Sequence, residues 1–231
     1  ERQQKWENLC KEAYEIAMPE RNVYSKTTEG QDESQGIFDS TAMIASNSFV
    51  STMLRLLFPP DTPFAKLSLG PTIPEQDKTE LQEILDKVNE IHFNAVKASN
   101  FYVEIVPFLY DLFVGTACLL VQKGDVYKPF VHKAIPMNQL AFEESPEGEP
   151  NCVYRKWKLK EDEVLQMWPK GTYTQEGEKG GCPKEVEVLE CVYYDNEKRV
   201  WQYAVINFAK KEYIYQAPMK FNPFNVARWT N

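Results

Sequence analysis

FDSTAMIASNSFVSTMLRLLFPPDTPFAKLSL, residues 38–69, is the stretch that decides the fold of the first half of this chain. Asp39 or Ser40 is placed to cap a helix, and the Pro59-Pro60 pair ends it. Residues 64–69 then alternate apolar and polar side chains, which predicts a short extended piece. The apolar residues of the helix recur at helical spacing, and we expect them on one face: Ala42, Ala45, Phe49, Val50, Met53, Leu54 and Leu57.

Three more helices are predicted around this one. The first ends at Pro19, the third follows Thr72, and the fourth covers residues 101–114, with Pro107 inside it and Gly115 as its stop. The fourth is apolar nearly all round, which is typical of a buried helix. The first helix has its apolar face at Trp6, Leu9, Cys10, Ala13 and Ala17, and the third at Leu81, Ile84, Leu85, Val88, Ile91 and Ala95.

The second half of the chain changes to β-type patterns. A hairpin is predicted around residues 195–198, a tight turn at 123–125, and a glycine-rich loop at 169–183. The order of helices first and antiparallel strands afterwards predicts an α+β fold. The predicted strands cover residues 116–122, 127–135, 139–142, 152–159, 185–194, 199–208, 212–216 and 225–229, with a short helix at 160–168.

Composition narrows the class of protein. The chain has 231 residues, of which 43% are hydrophobic, enough for a core without disulfide staples. Its formal net charge of −8 disfavours a broad grip on nucleic acid or on an anionic membrane surface. The five cysteines have irregular spacing and no CxxC, so we expect free thiols in a reducing compartment, with Cys182 exposed in the glycine-rich loop.

The sequence contains no motif that selects a catalytic centre. His92 and His132 have no ligand spacing around them, and GxSxG, HExxH and GxxxxGK[ST] are absent. We therefore predict no catalytic, cofactor-binding or metal-binding residues and a structural or binding role. Two alternatives stay open: a cytosolic hydrolase with an unrecognised carboxylate site, and an adaptor that binds another protein through loop 169–183.

Several short motifs, taken in order, are more specific. The chain resembles the head-to-tail connector (portal) proteins of short-tailed bacteriophages, and the resemblance spans nearly its whole length. The motifs that carry it are Pro19-Glu20-Arg21-Asn22, Asp39-Ser40-Thr41-Ala42, Leu57-Phe58-Pro59-Pro60 followed by Phe64, Ala98-Ser99-Asn100-Phe101, Gly115-Thr116-Ala117-Cys118-Leu119-Leu120, and Pro223-Phe224-Asn225-Val226-Ala227-Arg228-Trp229.

The resemblance implies a non-enzymatic subunit of a ring, usually a dodecamer, at one vertex of the capsid. DNA is packaged and ejected through such a ring without tight binding, and tail or adaptor proteins and the capsid protein contact it. It implies a virion location after assembly in the host cytoplasm, no cofactor, and contact with the terminase through regions outside this chain.

The resemblance also assigns parts of the chain. Residues 1–118 correspond to the helical part of the portal wing and residues 119–231 to its mainly antiparallel β part. We expect the stem, clip and crown to lie outside this chain. A ring needs lateral contacts, and the large apolar residues Trp6, Phe58, Phe64 and Trp229 are the candidates for them, with ordinary core packing as the alternative for each.

Overall fold

The computed structural model describes residues 2–21, 23–24, 39–71, 74, 78–174 and 184–228. The chain divides into two compact units: a helical unit, Glu1–Ile135 with Ala227–Asn231, and a sheet unit, Pro136–Val226. Helices come first and antiparallel strands follow, so the α+β prediction is confirmed. The predicted boundary between residues 118 and 119 concerns parts of a portal wing and stays a prediction.

Four helices build the helical unit. They are α1 (Arg2–Ala17), α2 (Thr41–Leu57), α3 (Lys78–Ala98) and α4 (Phe101–Val114). Asp39 supports the start of α2, because its Oδ1 accepts hydrogen bonds from the amide and the hydroxyl of Thr41 at 2.9 and 2.6 Å. Gly115 ends α4 with φ 145°, a conformation that favours glycine. Thr72 lies outside the described residues.

The core of the helical unit forms mainly between α2, α4 and the first strands. Phe101, Ile105, Phe108 and Leu109 of α4 are buried, and Val50 of α2 packs against them. The prediction of a buried α4 is therefore confirmed for one broad face, while Val103 points to solvent. The helices predicted at α1 and α3 are confirmed, but most of their predicted apolar residues are not buried.

Two strands continue from α4 and pair with each other. Strands β1 (Thr116–Lys123) and β2 (Phe130–Ile135) are antiparallel, with Cys118 opposite Ile135. The last strand, β8 (Phe224–Arg228), brings the chain back into the helical unit and completes a three-stranded sheet of order β2-β1-β8. The turn predicted at residues 123–125 is wrong in length, because the loop runs to Pro129, whose carbonyl accepts from the Gly124 amide at 2.9 Å.

The sheet unit is a five-stranded antiparallel meander of order β3-β4-β5-β6-β7. Its hairpin at Asp195 is confirmed, since Asp195 pairs with Val200. One face packs against helix α5 and Trp168 around the buried Val188 and Val205. The elements of this unit are β3 (Leu140–Glu144), β4 (Pro150–Lys160), α5 (Glu161–Met167), β5 (Glu185–Asp195), β6 (Val200–Asn207) and β7 (Glu212–Met219).

The extended piece predicted at residues 64–69 forms no regular strand. A side chain supplies its pairing instead: the Asn89 amide accepts from the Leu67 N–H at 2.7 Å and donates to the Leu67 carbonyl at 3.0 Å. Asn89 is one of the few buried residues of α3. It fastens this segment to the helix much as a neighbouring strand would.

Candidate assembly surfaces

Helix α1 presents an apolar stripe to solvent. Trp6, Leu9, Ala13 and Ile16 follow one another at spacings of three, four and three residues, and we call them the α1 seam. Trp6 is 67% exposed, and Leu9 and Ile16 are exposed to a similar degree. Among the described side chains of α1 and its C-terminal end, Tyr14, Ala17 and Met18 are the buried apolar ones, so only Ala17 of the predicted apolar face is buried.

Helix α3 presents a second apolar stripe with the same spacing. Leu81, Ile84, Val88 and Ile91 form this α3 seam, and all four are exposed, Ile91 by 69%. Only Asn89 and Val96 of this helix are buried. Periodicity in the sequence predicts these residues on one apolar face of a helix. It does not show whether the same chain or another protein covers that face.

A buried charge holds the chain around α1 to α4. Asp111, which is fully buried, accepts a hydrogen bond from the Tyr14 hydroxyl at 2.6 Å and two from the Arg21 guanidinium at 3.1 and 2.9 Å. Burial raises the pKa of the Asp111 carboxyl, and the bonds from Arg21 and Tyr14 oppose that shift. Burial and the Asp111 charge also raise the pKa of Tyr14. The cluster thereby positions the α1 seam.

Phe58 and Phe64 lie in an aromatic cluster of their own chain. Their rings meet edge to face at 5.3 Å between centroids, and both contact the buried Phe101 ring at 5.5 Å. Both are half-buried, so packing within the subunit accounts for most of their apolar surface. Their role in assembly stays a prediction, as does that of Trp6. Trp229 lies outside the described residues.

The β1–β2 hairpin carries a structured apolar tip that the sequence analysis did not single out. Val126 and Tyr127 are 93% and 88% exposed. The Asp125 carboxylate accepts from the amides of Tyr127 and Lys128 at 2.8 and 2.7 Å, which fixes the turn. A Cβ on Gly124 would collide with the Lys128 carbonyl, so this position requires glycine. The Gly-Asp pair was the sequence signal for the turn.

Arg155 and Glu190 form a buried ion pair inside the sheet unit. The Arg155 guanidinium stacks on the Trp157 ring at 3.7 Å, lies 3.8 Å from the Glu190 carboxylate and donates to the Gln139 side chain at 3.2 Å. Arg155 and Glu190 are each 3% exposed. Burial raises the pKa of Glu190, and the Arg155 charge opposes it. Both side chains of this ion pair are therefore almost entirely closed to solvent.

The two histidines differ in their surroundings. His132 is buried, its Nδ1 lies 3.4 Å from the Ser99 hydroxyl, and burial lowers its pKa. His92 packs edge to face on Phe130.

Cys152 and Cys191 bring their Sγ atoms to 3.8 Å inside the sheet unit, where burial raises the pKa of Cys191 to about 12. A thiol with that pKa is a poor nucleophile at neutral pH.

Within the ranges that the structure describes, no group of three or more His, Cys, Asp or Glu side chains is arranged to hold a metal ion. No helix there combines the length and apolar character that crossing a bilayer requires. Residues 175–183, which include Cys182 and most of the glycine-rich loop, lie outside the described part of the chain. Among the described residues, the two exposed apolar seams lie in the helical unit.

Comparison with protein families identifies the family of this chain. The sequence profile of the family described as "Bacteriophage head to tail connecting protein" matches residues 1–231. A search of curated proteins found no match.

Proposed function

The chain belongs to the bacteriophage head-to-tail connecting protein family, and on that premise we propose that it is a subunit of the portal ring at the capsid vertex. The family consists of structural phage proteins that act at the junction of head and tail. Membership places the chain in the virion, in contact with capsid and tail. The ring, usually a dodecamer, and the passage of DNA through it during packaging and ejection are the proposal.

The observation that supports a ring is the exposed apolar surface of the helical unit. Two helices each leave a continuous apolar seam uncovered. Large apolar patches on a subunit surface mark places where another protein binds. Two different surfaces of this kind suit a closed ring, because each subunit of a ring uses one surface toward the preceding copy and another toward the next.

The net charge supports the proposed passage of DNA. At −8 per chain, the protein repels phosphate at long range, and a ring of such subunits lets a duplex slide without retaining it. The assignments of residues 1–118 and 119–231 to the helical and β parts of the portal wing belong to the same proposal. So does contact with the terminase.

The proposal is tested by the assembly state of the purified chain. Native mass spectrometry and electron microscopy over a concentration series should find closed rings with one dominant copy number. A chain that stays monomeric at every concentration up to about 100 µM would contradict the proposal of a ring. A Kd weaker than that corresponds to a binding free energy of less than about 5.5 kcal/mol for each contact between subunits.

A further inference from the structure

We propose that the α1 seam of one copy packs antiparallel against the α3 seam of the neighbouring copy, and that this contact joins the subunits. The inference rests on the proposed ring and names the surfaces and the partner, which is a second copy of this chain. An amphipathic helix whose apolar face stays in water gains little from folding, so each seam needs a cover. The two seams fit each other in spacing, length and charge.

Spacing is the first match. Residues recur at intervals of three, four and three in both seams, which is the period of helices packed at a shallow angle with side chains interdigitated. Each seam covers eleven residues, and the ten steps between its first and last residue span about 15 Å at 1.5 Å per residue. Antiparallel packing forms four layers: Trp6 with Ile91, Leu9 with Val88, Ala13 with Ile84, and Ile16 with Leu81.

The charged residues that flank the seams are the second match, and they favour antiparallel over parallel packing of the two helices. Glu12 directly precedes Ala13 of its seam and Lys87 directly precedes Val88 of the other, so each flanks the same edge of its helix. Antiparallel packing sets these two positions opposite each other and pairs a carboxylate with an ammonium. Parallel packing would set Glu12 opposite His92 and leave Lys87 beside Ala17. Glu12 and Lys87 are both exposed in the single chain and available for such a pair.

The partner is a second copy because one chain keeps both seams exposed at the same time. Contacts on the other side of each helix hold α1 and α3 in place: Tyr14 on Asp111 for α1, and Asn89 on Leu67 for α3. Every copy therefore has one seam of each kind left over. Joining α1 of one copy to α3 of the next repeats head to tail, which is the type of contact that closes into a ring.

A charge swap tests the contact without touching the apolar layers. E12K alone sets a second ammonium group against that of Lys87, and K87E alone sets a second carboxylate against that of Glu12. Each variant should therefore weaken self-association about three- to tenfold at low ionic strength, measured by sedimentation velocity. An equimolar mixture of the two variants should recover wild-type association. In that mixture each E12K copy can meet a K87E copy on both sides with opposite charges.

The matched controls are K11E and D86K, which make the same charge reversals on the faces of α1 and α3 that point away from the seams. They should associate like the wild type. V88D should abolish association while keeping the circular dichroism spectrum and unfolding midpoint of the single chain, because Val88 is exposed there.

Three results would overturn the proposal. The mixture of E12K and K87E could fail to recover. The double variant E12K/K87E could recover where the mixture does not, which would place the pairing within one chain. V88D could assemble normally. In each case a wild type that still forms rings leaves the proposed function standing, whereas a monomeric wild type removes both.

Discussion

At the scale of single residues, Asp111 is the charge on which the placement of α1 depends. It is fully buried and shared by Tyr14 and Arg21, which lie 97 and 90 positions away in sequence. Removing one member of a buried ion pair leaves the other without compensation. We expect Asp111→Asn to lower the free energy of unfolding by about 3 kcal/mol, the lower end for such pairs because Arg21 keeps some contact with water.

Urea unfolding followed by tryptophan fluorescence measures that loss. Tyr14→Phe removes one hydrogen bond to a charged group and should cost about 1.5–2 kcal/mol. Lys11→Ala is the control, since it breaks only the exposed ion pair with Glu15 on the same helix and should change stability by less than about 0.5 kcal/mol. An Asp111→Asn variant as stable as Lys11→Ala would show that the cluster does not hold α1.

The sequence shows that Asp111 needs a partner, but it does not show which residues supply one. Asp111 is an acidic residue inside a helix that is otherwise almost entirely apolar, and a carboxylate in that position requires a partner. Its partners were not predictable, because Tyr14 and Arg21 come from the far end of the chain and no local pattern relates them. The same holds for Phe58 and Phe64: residue type marked them as anchors, but only the fold shows that they pack on Phe101.

At the scale of elements, one side chain substitutes for a strand. Asn89 pairs with both backbone groups of Leu67 and thereby holds residues 64–69 to α3. Asn89→Ala leaves the Leu67 N–H and C=O without this partner. We expect amide hydrogen exchange at Leu67 to accelerate about tenfold, which corresponds to a loss of about 1.4 kcal/mol in local opening.

The control for this prediction lies on the same helix. Gln82→Ala removes an exposed side-chain bond to Asp86 and touches no backbone group, so exchange at Leu67 should keep its wild-type rate. Unchanged exchange in Asn89→Ala would mean that contacts other than the amide pair hold the segment.

Element boundaries were predictable where local chemistry marks them. The prediction for α4, residues 101–114, is confirmed at both ends because Asn100 and Gly115 are local stop signals. The burial of individual side chains was less predictable from the sequence than the ends of the helices. The periods of α1 and α3 are visible in the sequence, yet an apolar face looks the same whether its own chain or a second copy covers it. Trp6 was therefore named as an assembly candidate for its residue type alone, and the spacing of Leu9 and of the α3 seam residues predicted only that they share an apolar face.

At the scale of the whole molecule, the change from helical to alternating patterns was enough to predict an α+β fold. The division into units follows packing, which the pattern does not contain: β1 and β2 are strands, but they belong to the helical unit because α4 packs on them. The family resemblance rested on ordered motifs such as Leu57-Phe58-Pro59-Pro60, which periodicity and composition do not contain. The family profile that matches residues 1–231 confirms it.

Charge is the property of the whole molecule that bears most directly on DNA. Proteins that grip duplex DNA neutralise phosphates with Lys and Arg, and their affinity falls by about 10³–10⁵ between 50 and 200 mM salt. A chain with a net charge of −8 lacks that excess of cations, and every copy added to a ring adds the same negative charge. We expect a 30-base-pair duplex to bind with a Kd weaker than about 10⁻⁴ M at 150 mM salt, measured by fluorescence anisotropy.

The dependence of the DNA Kd on salt concentration distinguishes repulsion of DNA by the net charge from the absence of a DNA-binding site. Lowering the salt to 50 mM should tighten binding of the wild type by less than about tenfold. A variant with Lys at Glu143, Glu144, Glu147 and Glu149 serves as the comparison, because all four side chains are exposed and each reversal changes the charge by two, which brings −8 to zero. If net charge keeps DNA free to slide, this variant binds the duplex measurably at 50 mM salt and releases it at 200 mM. Tight, salt-sensitive binding by the wild type would contradict the expectation, because local cationic groups would then outweigh the charge of the whole chain.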